Sequence, residues 1–167
     1  MTRNNAGWTK HTQIPSSSSN GFHASVSISD DGKVIVNGKE VSAFANGELD
    51  QNICFNKPGL SLEEEYGRGV AVSGNGLWIA CGAPLDGPED SGSVYIVRRD
   101  GETWYEYQYL EDTQSTNTSF GYSLSFSAKG KVRAIGAPND SPPTGSVFHL
   151  SKYQRLLHKV RIQDFTP

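Results

Sequence analysis

The chain has 167 residues, 35% hydrophobic and 20% charged, with a formal charge of -3 and a pI near 5.8. That length suits one ordinary domain, and the charge gives no electrostatic reason to expect nucleic acid. No stretch approaches the ~20 apolar residues of a membrane-spanning helix, while 18 glycines among many serines, threonines and asparagines predict short strands and frequent turns, an all-β fold.

Residues 1–20, MTRNNAGWTKHTQIPSSSSN, read as a short strand around Trp8 and a Ser-rich linker. They lack the apolar core of a secretory signal, so export by that route is not expected. The strand resembles the outer strands found further along and is expected to pair with another sheet.

The rest of the chain writes one frame three times, over 21–62, 63–115 and 116–167. Phe22, Tyr66 and Phe120 open the copies, 44 and 54 residues apart. Glycines follow ten and sixteen residues later in each, as Gly32 and Gly38, Gly76 and Gly82, Gly130 and Gly136. Val26, Val70 and Leu124 align, as do Ile28, Val72 and Phe126.

In the second copy, alternation puts Val70 and Val72 on one face, a turn spans Ser73 to Gly76, and Leu77 and Ile79 return as a partner strand. Gly76 and Gly130 suit the positive φ of such a turn, which Asn75 also tolerates. A polar loop, LDGPEDSG, leads to SVYIVRRDGETWYEYQYL, where Asp100-Gly101 marks a second tight turn. Each copy therefore holds four antiparallel strands. In the third copy TGSVFHL matches SGSVYIV. The tail RLLHKVRIQDF could form a basic amphipathic helix from Leu156, Leu157 and Val160, but its alternation and its offset from Gly145 favour an outer strand.

Repeats of this length and strand content predict a β-propeller-like array of three four-stranded antiparallel blades. Tyr66-Gly67 with Gly82-Ala83-Pro84, and Phe120-Gly121 with Gly136-Ala137-Pro138, resemble the FG-GAP repeat of integrin α subunits and of many bacterial and viral surface proteins. The likeness spans about 145 residues. It departs from the pattern in the first copy, where His23 replaces glycine and Lys39-Glu40 replaces Ala-Pro. The resemblance implies that these glycines, alanines and prolines shape the exit from the second strand of each blade. It also suggests calcium, but family sites use an Asp-rich hairpin, and the hairpins here read SDDG, SGNG and SAKG. Only Asp30 and Asp31 offer carboxylates there, too few alone, so no cofactor is expected.

Other chemical signatures are weak. Cys54 and Cys81 form no disulfide framework or zinc pattern, and Cys81 in LWIAC reads as a buried small hydrophobe. Ser91 in EDSGS lacks the sequence context of a triad, and GRGVAV precedes a hairpin instead of a helix. His11, His23, His149 and His158 show no short metal spacing, and Glu63 to Glu65 read as a solvated edge. Sequons at Asn117 and Asn139 lie in loops.

Three wedge-shaped blades leave two faces that soluble monomers rarely expose. Two chains could close a six-bladed ring, the chain could dock on other subunits, or the sheets could form a compact prism. The expectation is a non-enzymatic structural or binding module completed by oligomerisation or a partner protein, on a virion or extracellular surface. Capsid association, fibre assembly or attachment would be its work; the alternatives are an adhesion module resembling the integrin head, or a propeller-type lectin or hydrolase. Candidate contact loops are 85–92, with Asp86, Glu89 and Asp90, and 139–145, with Asn139 and Asp140.

Overall fold

The computed structural model describes residues 2–4, 7–9, 25–38, 40–45, 48–54, 65–113, 115–151 and 158–160. Phe22, His23, Lys39, Glu63, Leu156 and Leu157 lie outside them, as does the Ser-rich linker. The described residues form an all-β, propeller-like array of three antiparallel four-stranded blades, with one 3-10 turn and no α-helix.

Strands β1 (Thr2–Asn4) and β2 (Gly7–Thr9) pair with each other, Arg3 opposite Trp8. The strand around Trp8 therefore belongs to a small hairpin of its own and does not join a blade, because β1 supplies its partner locally.

Blade 1 runs in simple up-and-down order through β3 (Val26–Ile28), β4 (Val34–Asn37), β5 (Glu40–Ala45) and β6 (Glu48–Cys54). Blade 2 repeats that order with β7 (Val70–Val72), β8 (Trp78–Ala83), β9 (Ser93–Asp100) and β10 (Thr103–Glu111). Blade 3 contains β11 (Ser123–Phe126), β12 (Val132–Ala137), β13 (Ser146–Ser151) and β14 (His158–Val160). The C-terminal segment thus supplies an outer strand, with His158 opposite His149.

Turn chemistry fixes the registers. In blade 2, Ser73 N–H donates to the Trp78 carbonyl, Gly76 N–H to the Ser73 carbonyl, and Val72 pairs with Ile79. Gly76 has φ 66°, and its counterparts Gly32 and Gly130 have 70° and 65°, a region where a β-carbon is disfavoured. Leu77 lies in the turn, 42% exposed, and the return strand starts at Trp78. The β9–β10 loop is Gly101-Glu102, since Asp100 already pairs with Thr103; the turn sits one residue later than Asp100-Gly101.

Two cores result, one on each face of blade 2. Strand alternation sends Ile79, Cys81 and Ala83 to one side and Trp78 and Ala80 to the other. On the first side they meet Val34 and Val36 of blade 1; on the second they meet Phe120, Ile135, Phe148 and Leu150 of blade 3. Burying each aliphatic or aromatic side chain contributes roughly 1.5–3 kcal/mol, so blade 2 is anchored through both faces.

Candidate interaction surfaces

The two clear copies of the frame close by the same contacts. Gly67 N–H donates to the Gly82 carbonyl at 2.7 Å, and Gly121 N–H donates to the Gly136 carbonyl at 3.1 Å. The aromatic residues just before these glycines plug the core. Tyr66 meets Tyr95 edge to face at 5.5 Å, and Phe120 meets Phe148, the counterpart of Tyr95, at 5.0 Å. Ala83 and Ala137 are fully buried at the strand ends; Pro84 is buried beyond the first and Pro138 is exposed beyond the second. Burial raises the Tyr66 phenol above its ordinary range, reinforced by the adjacent Cys81. Burial likewise pushes the Cys81 thiol up to about 12, against a weaker opposing hydrogen bond from Tyr66.

The hairpin tips contain a second repeated device that the sequence reading did not single out. Ser73 Oγ donates to Asn75 Oδ1 and accepts the Trp78 N–H, while Asn75 Oδ1 also accepts the Leu77 N–H. Ser29 and Asp31 reproduce each contact in blade 1, with Val34 and Lys33 as donors. The Lys33 N–H and the Ser29 hydroxyl hold the Asp31 carboxyl below its ordinary pKa. Asn75 therefore acts through its side-chain oxygen, with no positive φ of its own. The signal was present as Ser at the tip followed two residues on by Asp or Asn; Lys129 breaks it in the third copy.

Blade joins blade through these tips. Asp30 N–H donates to the Gly74 carbonyl at 2.9 Å, and Asn75 N–H to the Ala128 carbonyl at 2.8 Å. Deeper in, Arg68 bonds Glu65 at 3.1 Å and lies 4.4 Å from the centre of the Tyr122 ring, one residue past the next FG pair. Glu65 is thus an ion-pair partner at the blade 2–blade 3 boundary.

The structure divides the candidate contact loops. Asp86 accepts hydrogen bonds from the Ser93 hydroxyl, the Tyr95 hydroxyl and the Gly87 N–H, so it staples its loop to β9. Asp140, four residues after Gly136 as Asp86 is after Gly82, is 3% exposed. The Asp86 carboxylate folds back onto backbone and hydroxyl donors and so supports its own loop, while Asp140 is buried with the adjacent Ser141 hydroxyl on its Oδ1. Glu89 and Asp90 have exposed side chains, yet their carbonyls accept the Asn117 and Ser119 N–H groups. Ser91 continues that seam through its carbonyl, which takes the Phe120 N–H and the Thr118 hydroxyl. Loop 85–92 is therefore sealed to blade 3 along its backbone. Loop 139–145 has exposed residues from 141 to 144, and Asn139 reaches across to the Ser119 hydroxyl.

Arg133 is the functional-looking residue that sequence reasoning missed. It is 4% exposed and stands 5.3 Å from the Trp78 ring centre, 5.9 Å from Phe126 and 5.9 Å from Tyr107, with Gln108 accepting from its Nη1. Burial lowers its pKa from the ordinary guanidinium value. Its aromatic box makes it a packed cation between blades 2 and 3. The clue was positional, for Arg133 occupies the place of the core residue Ile79. Among the described residues, no three His, Cys, Asp or Glu side chains gather closely enough to hold a metal ion. No helix among them is long and apolar enough to cross a membrane.

No protein-family model and no curated protein matches the chain. Among solved structures, the chain is similar to TolB from Acinetobacter baumannii, at 10% identity and a TM-score of 0.48, covering 81% of this chain and 31% of that one. It is also similar to the putative TolB from Agrobacterium tumefaciens, at 7% identity and a TM-score of 0.35, covering 82% and 61%. The chain spans less than two thirds of either.

Proposed function

We propose that this chain is a non-enzymatic structural and binding module of the FG-GAP type, a subunit that joins a larger protein assembly. Its setting in this reading is a virion surface, where it serves in capsid decoration, in a fibre or in attachment. The observation that carries the reading is the contrast between blade 2 and blade 1. Val70 and Val72 of blade 2 are 5% and 7% exposed, whereas Val26 and Ile28, at the same positions of blade 1, are 67% and 58% exposed. Apolar side chains kept at core positions of the frame, yet open to water, mark a surface built for a protein partner. The surface setting rests on the FG-GAP resemblance. Density-gradient centrifugation of the particles of the virus or cell that encodes the chain, followed with an antibody against it, tests the reading. The chain should band with the particles and resist a mild salt wash; recovery only in the free protein fraction would overturn it.

A further inference from the structure

We propose that the open face of blade 1 docks on the open face of blade 3 of a second copy of this chain, closing a six-bladed ring from two three-bladed halves. This deepens the assembly reading above by naming the partner.

The two blade junctions inside the chain follow one rule. In blades 2 and 3, the face that carries residues 70 and 72, or 124 and 126, packs onto the preceding blade. The corresponding face of blade 1, with residues 26 and 28, has no preceding blade packed on it among the described residues. Ile28 pairs with Ile35 on the same uncovered face, so the patch is continuous across two strands.

Blade 3 presents the complementary side. Val94 and Ile96 of blade 2 are completely buried beneath blade 3, but their counterparts on blade 3 are Val147, 38% exposed, and His149, half-buried. Gly136 repeats Gly82, the residue whose bare Cα makes room for the next blade's Gly121; around Gly136 the atoms near a notional β-carbon belong to its own neighbour strand at Ser123. Blade 3 thus retains the receiving glycine with no blade seated on it among the described residues.

Charge selects the occupant. Extending the tip-to-tip ladder by one step sets the blade 3 tip beside the blade 1 tip of a second copy. The blade 3 tip carries Lys129 and Lys131 with no carboxylate, and the blade 1 tip carries Asp30 and Asp31 with one cation, Lys33. Lys129 fills the position from which Asn75 N–H reaches the next tip, which sets the basic tip of one copy beside the acidic tip of the other, while the Asp30 carboxylate itself leans on Gly74 of its own chain. Six blades fall within the range at which such wedges close, and the two junctions are related by the two-fold axis of the ring.

Light scattering on the full chain tests this with two variants at exposed positions, Ile28→Asp on one face and Val147→Asp on the other. The wild type should weigh twice 18.2 kDa. Each variant alone should weigh 18.2 kDa with an unchanged circular dichroism spectrum and melting curve, and an equimolar mixture should recover dimers through the one intact junction. Lys129→Glu should weaken wild-type association about fivefold, and added salt should erase that difference. A monomeric wild type, a variant that dimerises alone, or a mixture that stays monomeric would each overturn the proposal. A ring that forms while the chain never bands with particles would remove the virion reading and leave this one standing.

Discussion

The carbonyl oxygen of Gly121 lies 1.9 Å from where a β-carbon on Gly82 would stand, so the GAP glycine of blade 2 and the FG glycine of blade 3 touch backbone to backbone. The Gly121 carbonyl carbon would be only 2.8 Å away, and neither atom can swing aside as a side-chain tip could. Gly82→Ala must therefore push blades 2 and 3 apart. We expect a loss of about 3 kcal/mol in urea unfolding, the upper part of the overpacking range. Gly136→Ala meets the Ser123 hydroxyl, which can rotate away, and should cost less than about 1 kcal/mol. Equal losses at the two sites would contradict the one-sided packing described above.

Ser73 is fully buried, and its hydroxyl satisfies the Trp78 N–H. Ser73→Ala leaves that donor without its acceptor, which should lower stability by about 1–3 kcal/mol. Chemical denaturation of this variant beside Ser73→Thr, which keeps the hydroxyl, separates the hydrogen bond from changes in bulk.

Asp31 gives the blade 1 tip a pH response. Its folded pKa lies below the ordinary 3.8, so ionised Asp31 adds stability above that value and loses the contribution as pH falls through the folded pKa. Asp31→Asn keeps the acceptor, as Asn75 does in blade 2. The variant should be slightly less stable than wild type at neutral pH, with the gap closing below about pH 4 in thermal melts. A gap independent of pH would show that the charge does not matter there.

Arg133 combines a buried charge with an Nε that has no hydrogen-bond partner. Replacing such a cation by an apolar side chain of similar length is often neutral or stabilising, so Arg133→Met should unfold within about 1 kcal/mol of wild type or above it. Arg133→Ala, which empties the space beside Trp78 and Phe126, should lose about 2–4 kcal/mol. A large loss in the Met variant would assign the guanidinium a specific electrostatic role.

Cys81 is 1% exposed, and burial disfavours its thiolate. In a Cys54→Ser background at pH 8, its reaction with a disulfide reagent should proceed no faster than unfolding and accelerate with added urea. Immediate labelling of the native protein would place Cys81 outside the core.

Strands, turns and their threefold recurrence were legible in the residues alone, because alternation of side chains and the steric demands of Gly32, Gly76 and Gly130 act between near neighbours. It also placed the outer strand that contains Val160, since β13 needs a partner at that offset. What each repeated position meets emerges from the packing of blade on blade. Gly82 and Gly136 are the same residue in the same frame, yet among the described residues Gly82 bears the next blade and Gly136 meets only Ser123 of its own. Asp86 and Asp140 read as contact residues in polar loops, but Asp86 is turned inward by the Ser93 and Tyr95 hydroxyls of β9, and Asp140 is buried, neither of which its own loop's sequence displays. Arg133 was invisible as a core residue for the same reason, since the aromatic box around it is assembled from two blades. Local sterics write the repeat; burial is a property of which blade stands beside it.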